Sequence, residues 1–162
     1  MNNVRKILVP IDFSEESATG LKYAVSLAQQ TQAEVIALYV AEKKECDSWL
    51  CFMAVMEAWP LQYASIRIPI DRLITEKALD LHHFIEKLVI DSSPVKIRKK
   101  VAVGKKSKTI LEVAKEETAD LVVFAIRPSS FLSYITAPRK LLRQMWRFPC
   151  PVLVKPPVPS LA

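Results

Sequence analysis

The chain has 162 residues, of which 51% are hydrophobic and 25% charged, a balance that suits one domain with a full core and excludes a disordered chain. No apolar run reaches the ~18 residues that a membrane span requires. The first residues lack the basic-then-apolar pattern of an export leader. Three cysteines are too few for a disulfide framework. We therefore expect a cytoplasmic protein with reduced thiols, whose net charge of +6 permits anionic partners without specifying them.

The opening residues predict a β-α-β unit. Lys6 to Asp12 is a short apolar run rich in branched residues, which is typical of a buried strand. Ser14 is in the position of a helix N-cap, and apolar residues then recur at helical spacing to about Thr31. Glu34 to Val40 returns to a strand pattern, so we expect a right-handed crossover between two parallel strands.

Residues 42–69 form an irregular, apolar insertion. It contains the dense aromatic run from Trp49 to Trp59, which predicts either a surface that binds a partner protein or a segment that folds back as a lid over the sheet edge or completes a helix. A lid there could fill the crevice where a ligand would bind. Helical spacing of apolar residues resumes at Ile70 and continues to the breaker cluster from Asp91 to Pro94.

The second half alternates strands and helices again. Val95 to Val103 carries apolar residues on one side and basic residues on the other, which predicts a strand near the sheet edge. A helix capped by Ser107 or Thr109 should then run to about Glu117. After it come a strand ending at Ala125, a proline-marked connection, a basic amphipathic helix and a last strand; the three elements span Asp120–Ala125, Arg139–Arg147 and Pro149–Val154.

Five strands in alternation with four helices predict one three-layer α/β/α domain over residues 1–162, with a mainly parallel sheet. In open sheets of this kind a ligand binds in the crevice beyond the carboxyl ends of the strands. The loop after Ala125 is therefore where a ligand would be expected. It contains no glycine, and the whole chain has two, Gly20 and Gly104.

The sequence resembles the universal stress protein family over nearly its whole length. The resemblance is carried by the run Lys6–Ser14, by Gly104, Ile110 and Ala114 ahead of Ala119–Val123, and by Arg143 with Pro149–Val154. It implies a Rossmann-like fold of the adenine-nucleotide alpha-hydrolase type, with a five-stranded parallel sheet of order 3-2-1-4-5. It also implies dimers that form through the last strand.

Nucleotide-binding members of that family carry a loop of the form Gly-x2-Gly-x9-Gly-[Ser/Thr] after the fourth strand. In this sequence the three glycine positions fall on Ala125, Pro128 and Pro138, and the hydroxyl position falls on Arg139. A proline removes a backbone donor and fixes φ at about −65°, whereas a phosphate nest needs donors and permissive backbone angles. This degenerate nucleotide-binding loop predicts that neither ATP nor AMP is a cofactor.

Two further positions match those that hold the base and ribose in binding members, namely Asp12 and Val40. Asp12 has a second interpretation, as a residue that caps the turn before Ser14. We predict a non-catalytic stress-response or regulatory protein, because no Ser/His/Asp or Cys/His arrangement is readable. The alternative is a sensor that binds a nucleotide or another anion through Asp12 and the loop arginines; these are Arg127, Arg139 and Arg143.

Further surfaces bear on partners. The last strand predicts pairing with a second copy of the chain, through Val152, Leu153 and Val154. Two basic clusters lack the interleaved aromatic residues of a nucleic-acid site and predict a solvated edge instead; they are Arg98–Lys100 and Lys105, Lys106 and Lys108. The adjacent His82 and His83 would point about 100° apart on a helix, so they predict no metal site.

Overall fold

A computed structural model describes residues 4–42, 45, 67–88, 94–125 and 146–155. These residues contain five strands and three helices, which we number in chain order. They are β1 (Lys6–Ile11), α1 (Glu15–Thr31), β2 (Glu34–Ala41), α2 (Arg67–Leu88), β3 (Ile97–Val103), α3 (Lys106–Glu116), β4 (Leu121–Ala125) and β5 (Val152–Lys155).

The five strands form one parallel sheet of order β3-β2-β1-β4-β5, which confirms the predicted order. β1 lies at the centre, where Ile7 pairs with Val35 of β2 on one side and with Leu121 of β4 on the other. β3 and β5 form the two edges, also as predicted.

Helices cover both faces of the sheet, so the domain has the three predicted layers. Alternate residues of β2 enter different cores: Val35 belongs to a cluster that packs on α1 and α2, whereas Ile36 belongs to a cluster that packs on α3. Both side chains are fully buried, which explains why β2 reads as a continuous apolar run rather than an alternating one.

The first helix begins as its sequence predicts. The Ser14 hydroxyl accepts a hydrogen bond from the Ser17 amide at 3.1 Å, so Ser14 is the N-cap, and two acidic residues occupy the first turn. The helix ends at Thr31, and its C-cap, Gln32, adopts a left-handed conformation (φ 57°) and donates its amide to Ala28 O. Left-handed residues at this position satisfy the last carbonyls of a helix.

Three predicted boundaries were wrong. α2 begins at Arg67 rather than Ile70, and thus takes in Pro69 in its first turn, where a proline removes no helical hydrogen bond. The N-cap of α3 is Lys105, without a side-chain cap, rather than Ser107 or Thr109. Trp146 and Arg147, the predicted end of a fourth helix, form a turn; the rest of that helix, residues 139–145, lies outside the described residues.

Candidate functional site

The crevice where a ligand would bind lies at the carboxyl ends of β1 and β4. These strands are neighbours at the centre of the sheet, but the chain leaves β1 towards β2 and leaves β4 towards β5. Such a reversal of strand order opens a crevice in parallel sheets. Asp12 follows the end of β1, and Ala125 is the last residue of β4, so the structure brings these two predicted site residues to the same sheet edge.

Asp12 is exposed and takes part in the turn that starts α1. Its Oδ1 accepts the Ser14 amide at 3.1 Å and also accepts the Ser14 hydroxyl. Ser14 in turn accepts the Ser17 amide, so the carboxylate orients the N-cap of the helix. The turn-capping interpretation of Asp12 is thereby confirmed, whereas contact with a base or ribose stays a prediction.

Phe13 lies between Asp12 and Ser14 and forms an aromatic cluster that the sequence pattern does not predict. Its φ is 62°, a left-handed conformation that is uncommon for a bulky residue. The ring stacks on Tyr39 of β2 at a centroid distance of 4.7 Å and meets Phe84 of α2 edge-on at 5.5 Å. The sequence signal for this cluster is an aromatic residue directly after the first strand. Its partners could not be predicted, because they come from distant parts of the chain.

Tyr39 connects this cluster to the residues that follow β2. Its hydroxyl donates to Glu45 Oε2 at 2.8 Å, and Glu45 Oε1 accepts the Glu42 amide at 3.2 Å. Burial, followed by the hydrogen bond to the Glu45 carboxylate, raises the pKa of Tyr39 above its usual value. The phenol therefore keeps its proton at neutral pH and acts as a structural donor.

Val40 and Ala125 both serve packing. The Val40 side chain is 3% exposed and lies in the core cluster that packs on α3, so the side chain does not line the crevice. Ala125 faces α1: a Cβ added to Gly20 would lie 3.0 Å from the Ala125 Cβ. Ala125, at the first glycine position of the loop, thus packs against α1. The helix can approach this closely because its residue at the contact is a glycine, Gly20.

The remaining loop positions lie outside the described residues. They are Arg127, Pro128, Pro138, Arg139 and Arg143. The aromatic run from Trp49 to Trp59 lies outside them as well, so its roles as partner surface or lid stay predictions.

Arg98 and Lys100, on the predicted solvated edge of β3, have side chains that are 38% and 25% exposed, and they also take part in an ion-pair network. Arg98 Nη1 donates to Glu117 Oε1 at 3.1 Å, and Lys100 Nζ donates to the same atom at 2.8 Å. Glu34 Oε1 also lies 3.4 Å from Arg98 Nε. The hydrogen bonds from Arg98, and then from Lys100, lower the pKa of Glu117 to about 2. Charges that neutralise each other in this way leave less for nucleic-acid phosphates.

Other reactive groups are accounted for by local contacts. Burial raises the pKa of the half-buried Cys150 thiol, which makes it less reactive. His82 lies 3.1 Å from both Lys99 Nζ and Glu86 Oε1. No cluster of three or more metal-ligating side chains occurs within the described parts of the chain, and no described helix is long and apolar enough to cross a membrane.

β5 presents an edge of the sheet. It pairs with β4 on one side, with Leu153 opposite Val123, and each of its residues is half-buried. No sixth strand adjoins it among the described residues. The predicted edge strand of Val152, Leu153 and Val154 is therefore confirmed, and its pairing with a second copy stays a prediction.

Comparison with known proteins gives one consistent result. The sequence profile described as the universal stress protein family matches residues 3–156. A universal stress protein of Methanocaldococcus jannaschii, MJ0531, is 28% identical over 153 residues, which cover 94% of this chain and 82% of that protein.

Solved structures share the fold. The hypothetical protein MJ0577 superposes with a TM-score of 0.68 at 20% identity, covering 98% of this chain and 99% of that one. A universal stress protein in complex with cAMP has a TM-score of 0.60 at 16% identity, with 95% and 98% covered. A universal stress protein from Archaeoglobus fulgidus has a TM-score of 0.62 at 19% identity, covering 96% of this chain and 45% of that one.

Proposed function

The chain belongs to the universal stress protein family, and we propose that it is a non-catalytic, regulatory member that does not bind ATP. The observation that carries the proposal is the loss of the phosphate loop. Its glycine positions hold Ala125, Pro128 and Pro138, and its hydroxyl position holds Arg139. Two prolines remove backbone donors at both ends of a loop whose chemistry depends on them.

The residues around the crevice support this proposal. The Asp12 carboxylate accepts two hydrogen bonds from Ser14, which gives it a structural role that needs no ligand. The Ala125 methyl group packs against α1 at Gly20, so a change back to glycine would cost packing. Phe13 stacks on Tyr39 at the ends of β1 and β2 and gives the same edge of the sheet an apolar cover.

Isothermal titration calorimetry tests the proposal directly. We expect no saturable heat when ATP, ADP, AMP or cAMP is added at micromolar concentration to the full chain. The matched positive control is a variant with the loop restored by Ala125→Gly, Pro128→Gly, Pro138→Gly and Arg139→Ser. Low-micromolar binding of any of these nucleotides to the unchanged chain would contradict the proposal.

A sensor of anions is the second candidate, and three loop arginines at positions 127, 139 and 143 favour it. Guanidinium groups bind phosphate in a bidentate manner and could replace the missing amides, together with Asp12. On this hypothesis Arg139→Ala abolishes nucleotide binding, with Arg147→Ala as the matched control. An unchanged affinity in Arg139→Ala would dispose of it.

Regulation would act through protein contacts in the cytoplasm, with β5 as the dimer edge and the run from Trp49 to Trp59 as the candidate surface for another partner. Pairing of two β5 strands would satisfy their outer backbone groups. Sedimentation velocity at micromolar concentration should show a dimer, and Leu153→Asp should convert it to a monomer. The control is Leu79→Asp, at a residue 55% exposed on α2. A wild-type protein that sediments only as a monomer would contradict the dimer.

A further inference from the structure

β3 forms the edge of the sheet opposite β5 and is the longer of the two edge strands, with seven residues against four. It pairs with β2 along its whole length. No strand pairs with its outer side in the part of the chain that the structure describes. An edge of this length presents a row of backbone donors and acceptors that an added strand can use.

The backbone groups of β3 that face outward belong to alternate residues. At the two ends of the strand, Val35 donates its amide to Lys96 O at 2.9 Å, and Gly104 donates its amide to Ala41 O at 2.9 Å. Because backbone groups alternate in direction along a parallel strand, the even-numbered residues bond to β2 and the odd-numbered residues face away from it. The outward set comprises Ile97, Lys99, Val101 and Val103.

The side chains of the outward set form an apolar surface with one cation in it. Ile97 and Val101 are half-buried against the core cluster that packs on α1 and α2, and Val103 is 38% exposed. Lys99 lies between the first two and is exposed. Residues directly opposite on a neighbouring strand lie side by side on the same face. The surface therefore fits a strand that has apolar residues on both sides of a residue opposite Lys99.

Lys99 differs from the other cations of β3 in its contacts. Its Nζ donates to His82 Nδ1 at 3.1 Å, since an ammonium group has donors only. His82 Nε2 lies 3.1 Å from Glu86 Oε1, so the imidazole stands between the lysine and that carboxylate. The cations on either side of Lys99 in sequence face Glu117 instead. Among the described residues, Lys99 is thus the β3 cation without a carboxylate at ion-pair distance.

The charge of this edge selects a different chain over a second copy. A second β3 would bring the same consecutive cations, Arg98–Lys100, against their counterparts, and like charges on neighbouring strands destabilise the pairing. Lysines on edge strands prevent self-association in this way. A carboxylate opposite Lys99 removes the obstacle, because opposite charges on neighbouring strands attract each other.

We propose that the outer edge of β3 binds an extended, acidic segment of another protein, which adds a sixth strand to the sheet. A carboxylate of that segment pairs with Lys99, and apolar residues two positions to either side of it pack on Ile97 and Val101. The backbone of the segment bonds to the outward amides and carbonyls of β3. The edge is separate from the degenerate loop after β4, so the binding stands whether or not the crevice binds a nucleotide.

NMR of the ¹⁵N-labelled full chain tests the edge, with the peptide Thr-Val-Thr-Glu-Thr-Val-Thr as the probe. The sequence of the peptide is symmetric, so it fits either strand direction. In the free protein the amides of Ile97, Lys99 and Val101 should exchange rapidly with solvent, whereas those of Arg98 and Lys100, which bond to β2, should be protected. Titration with the peptide should give saturable shifts and slow the exchange of the three outward amides.

Lys99→Glu reverses the charge that faces the peptide. Its affinity for the glutamate peptide should fall about tenfold, because an attraction between neighbouring strands becomes a repulsion. The peptide Thr-Val-Thr-Lys-Thr-Val-Thr should bind this variant more tightly than it binds the wild type. Lys106→Glu is the matched control, since Lys106 is also exposed but lies in α3, and it should leave the affinity for the glutamate peptide unchanged.

The same spectra distinguish the other possible occupants of the edge. Slow exchange of the outward amides in the dilute free protein would mean that the chain itself already covers the edge. Slow exchange that develops only as the protein alone is concentrated would indicate a second copy. Either result would overturn the proposal, as would a lack of saturable shifts with the glutamate peptide or equal affinity of wild type and Lys99→Glu for it.

Discussion

Replacement of Glu117 by glutamine should show how much the ion-pair network that joins α3 to β3 contributes to the free energy of unfolding. Glu117 follows the last residue of α3, and its carboxylate accepts hydrogen bonds from both Arg98 and Lys100. Its side chain is 12% exposed. Glu117→Gln keeps the shape but removes the charge that these two cations face.

The lowered pKa of Glu117 sets the scale of the effect. A fall from 4.5 to about 2 would correspond to roughly 3 kcal/mol in the preference for the charged form. Because the Arg98 side chain is 38% exposed, solvent screens part of this. We therefore expect Glu117→Gln to lower the free energy of unfolding by about 1–2 kcal/mol at pH 7.

The lowered pKa of Glu117 also determines how its contribution to stability changes with pH. The folded protein holds this carboxylate ionised to a lower pH than the unfolded chain does. The stabilisation is thus fully present above pH 4.5 and is lost as the pH falls towards about 2. Urea denaturation followed by circular dichroism, for wild type and variant at several pH values, should show a difference that shrinks over this interval.

Glu112→Gln is the matched control. It removes the same charge from the same helix, but Glu112 is 59% exposed and lies 3.6 Å from Lys108, so its loss should cost less than about 0.5 kcal/mol. Equal destabilisation by the two variants, or a Glu117→Gln effect that does not change on acidification, would show that the ion pairs of Glu117 do not supply this stability.

Substitutions at three further positions probe the turns that follow β1 and β3. Ser14→Ala should lower the free energy of unfolding by about 1 kcal/mol through loss of the α1 cap, whereas Ser14→Thr should cost little; equal effects would exclude capping as the cause. Phe13→Gly should be less destabilising than Phe13→Ala by about 1 kcal/mol, because both lose the stack on Tyr39 but glycine tolerates the positive φ; the reverse order in thermal melts would contradict this. Gly104→Ala should cost about 1–3 kcal/mol because its Cβ would meet the Thr109 hydroxyl, and denaturation of Gly104→Ala/Thr109→Ala should show partial recovery unless the contact is irrelevant.

Local pattern was enough to predict most strands and helices. β1 and β2 are short runs of branched apolar residues, and α1 carries a serine cap with acidic residues after it. These signals depend on neighbours in sequence, so they can be recognised without knowledge of the fold. The order of the strands was predicted through the family resemblance, since pairing between β1 and β4 joins residues more than 110 positions apart.

A predicted helix boundary was wrong where several residues could act as the N-cap. Ser107 and Thr109 are both good N-cap residues, yet Lys105 occupies the cap of α3. Helix ends respond to how the preceding strand leaves the sheet, here through Gly104 and its hydrogen bond to Ala41. Propensity is a weak guide against such tertiary constraints.

The class of fold, the family, and the loss of the glycines and hydroxyl after β4 could all be predicted from the sequence, because each depends on residue types at fixed spacing. Which side chains contact one another around the sheet was visible only in the folded structure. It placed Phe13 on Tyr39, used the Asp12 carboxylate to hold a turn, and paired Arg98 with Glu117. Those contacts join residues from different strands and helices, and their distances follow from packing, which no spacing along the chain encodes.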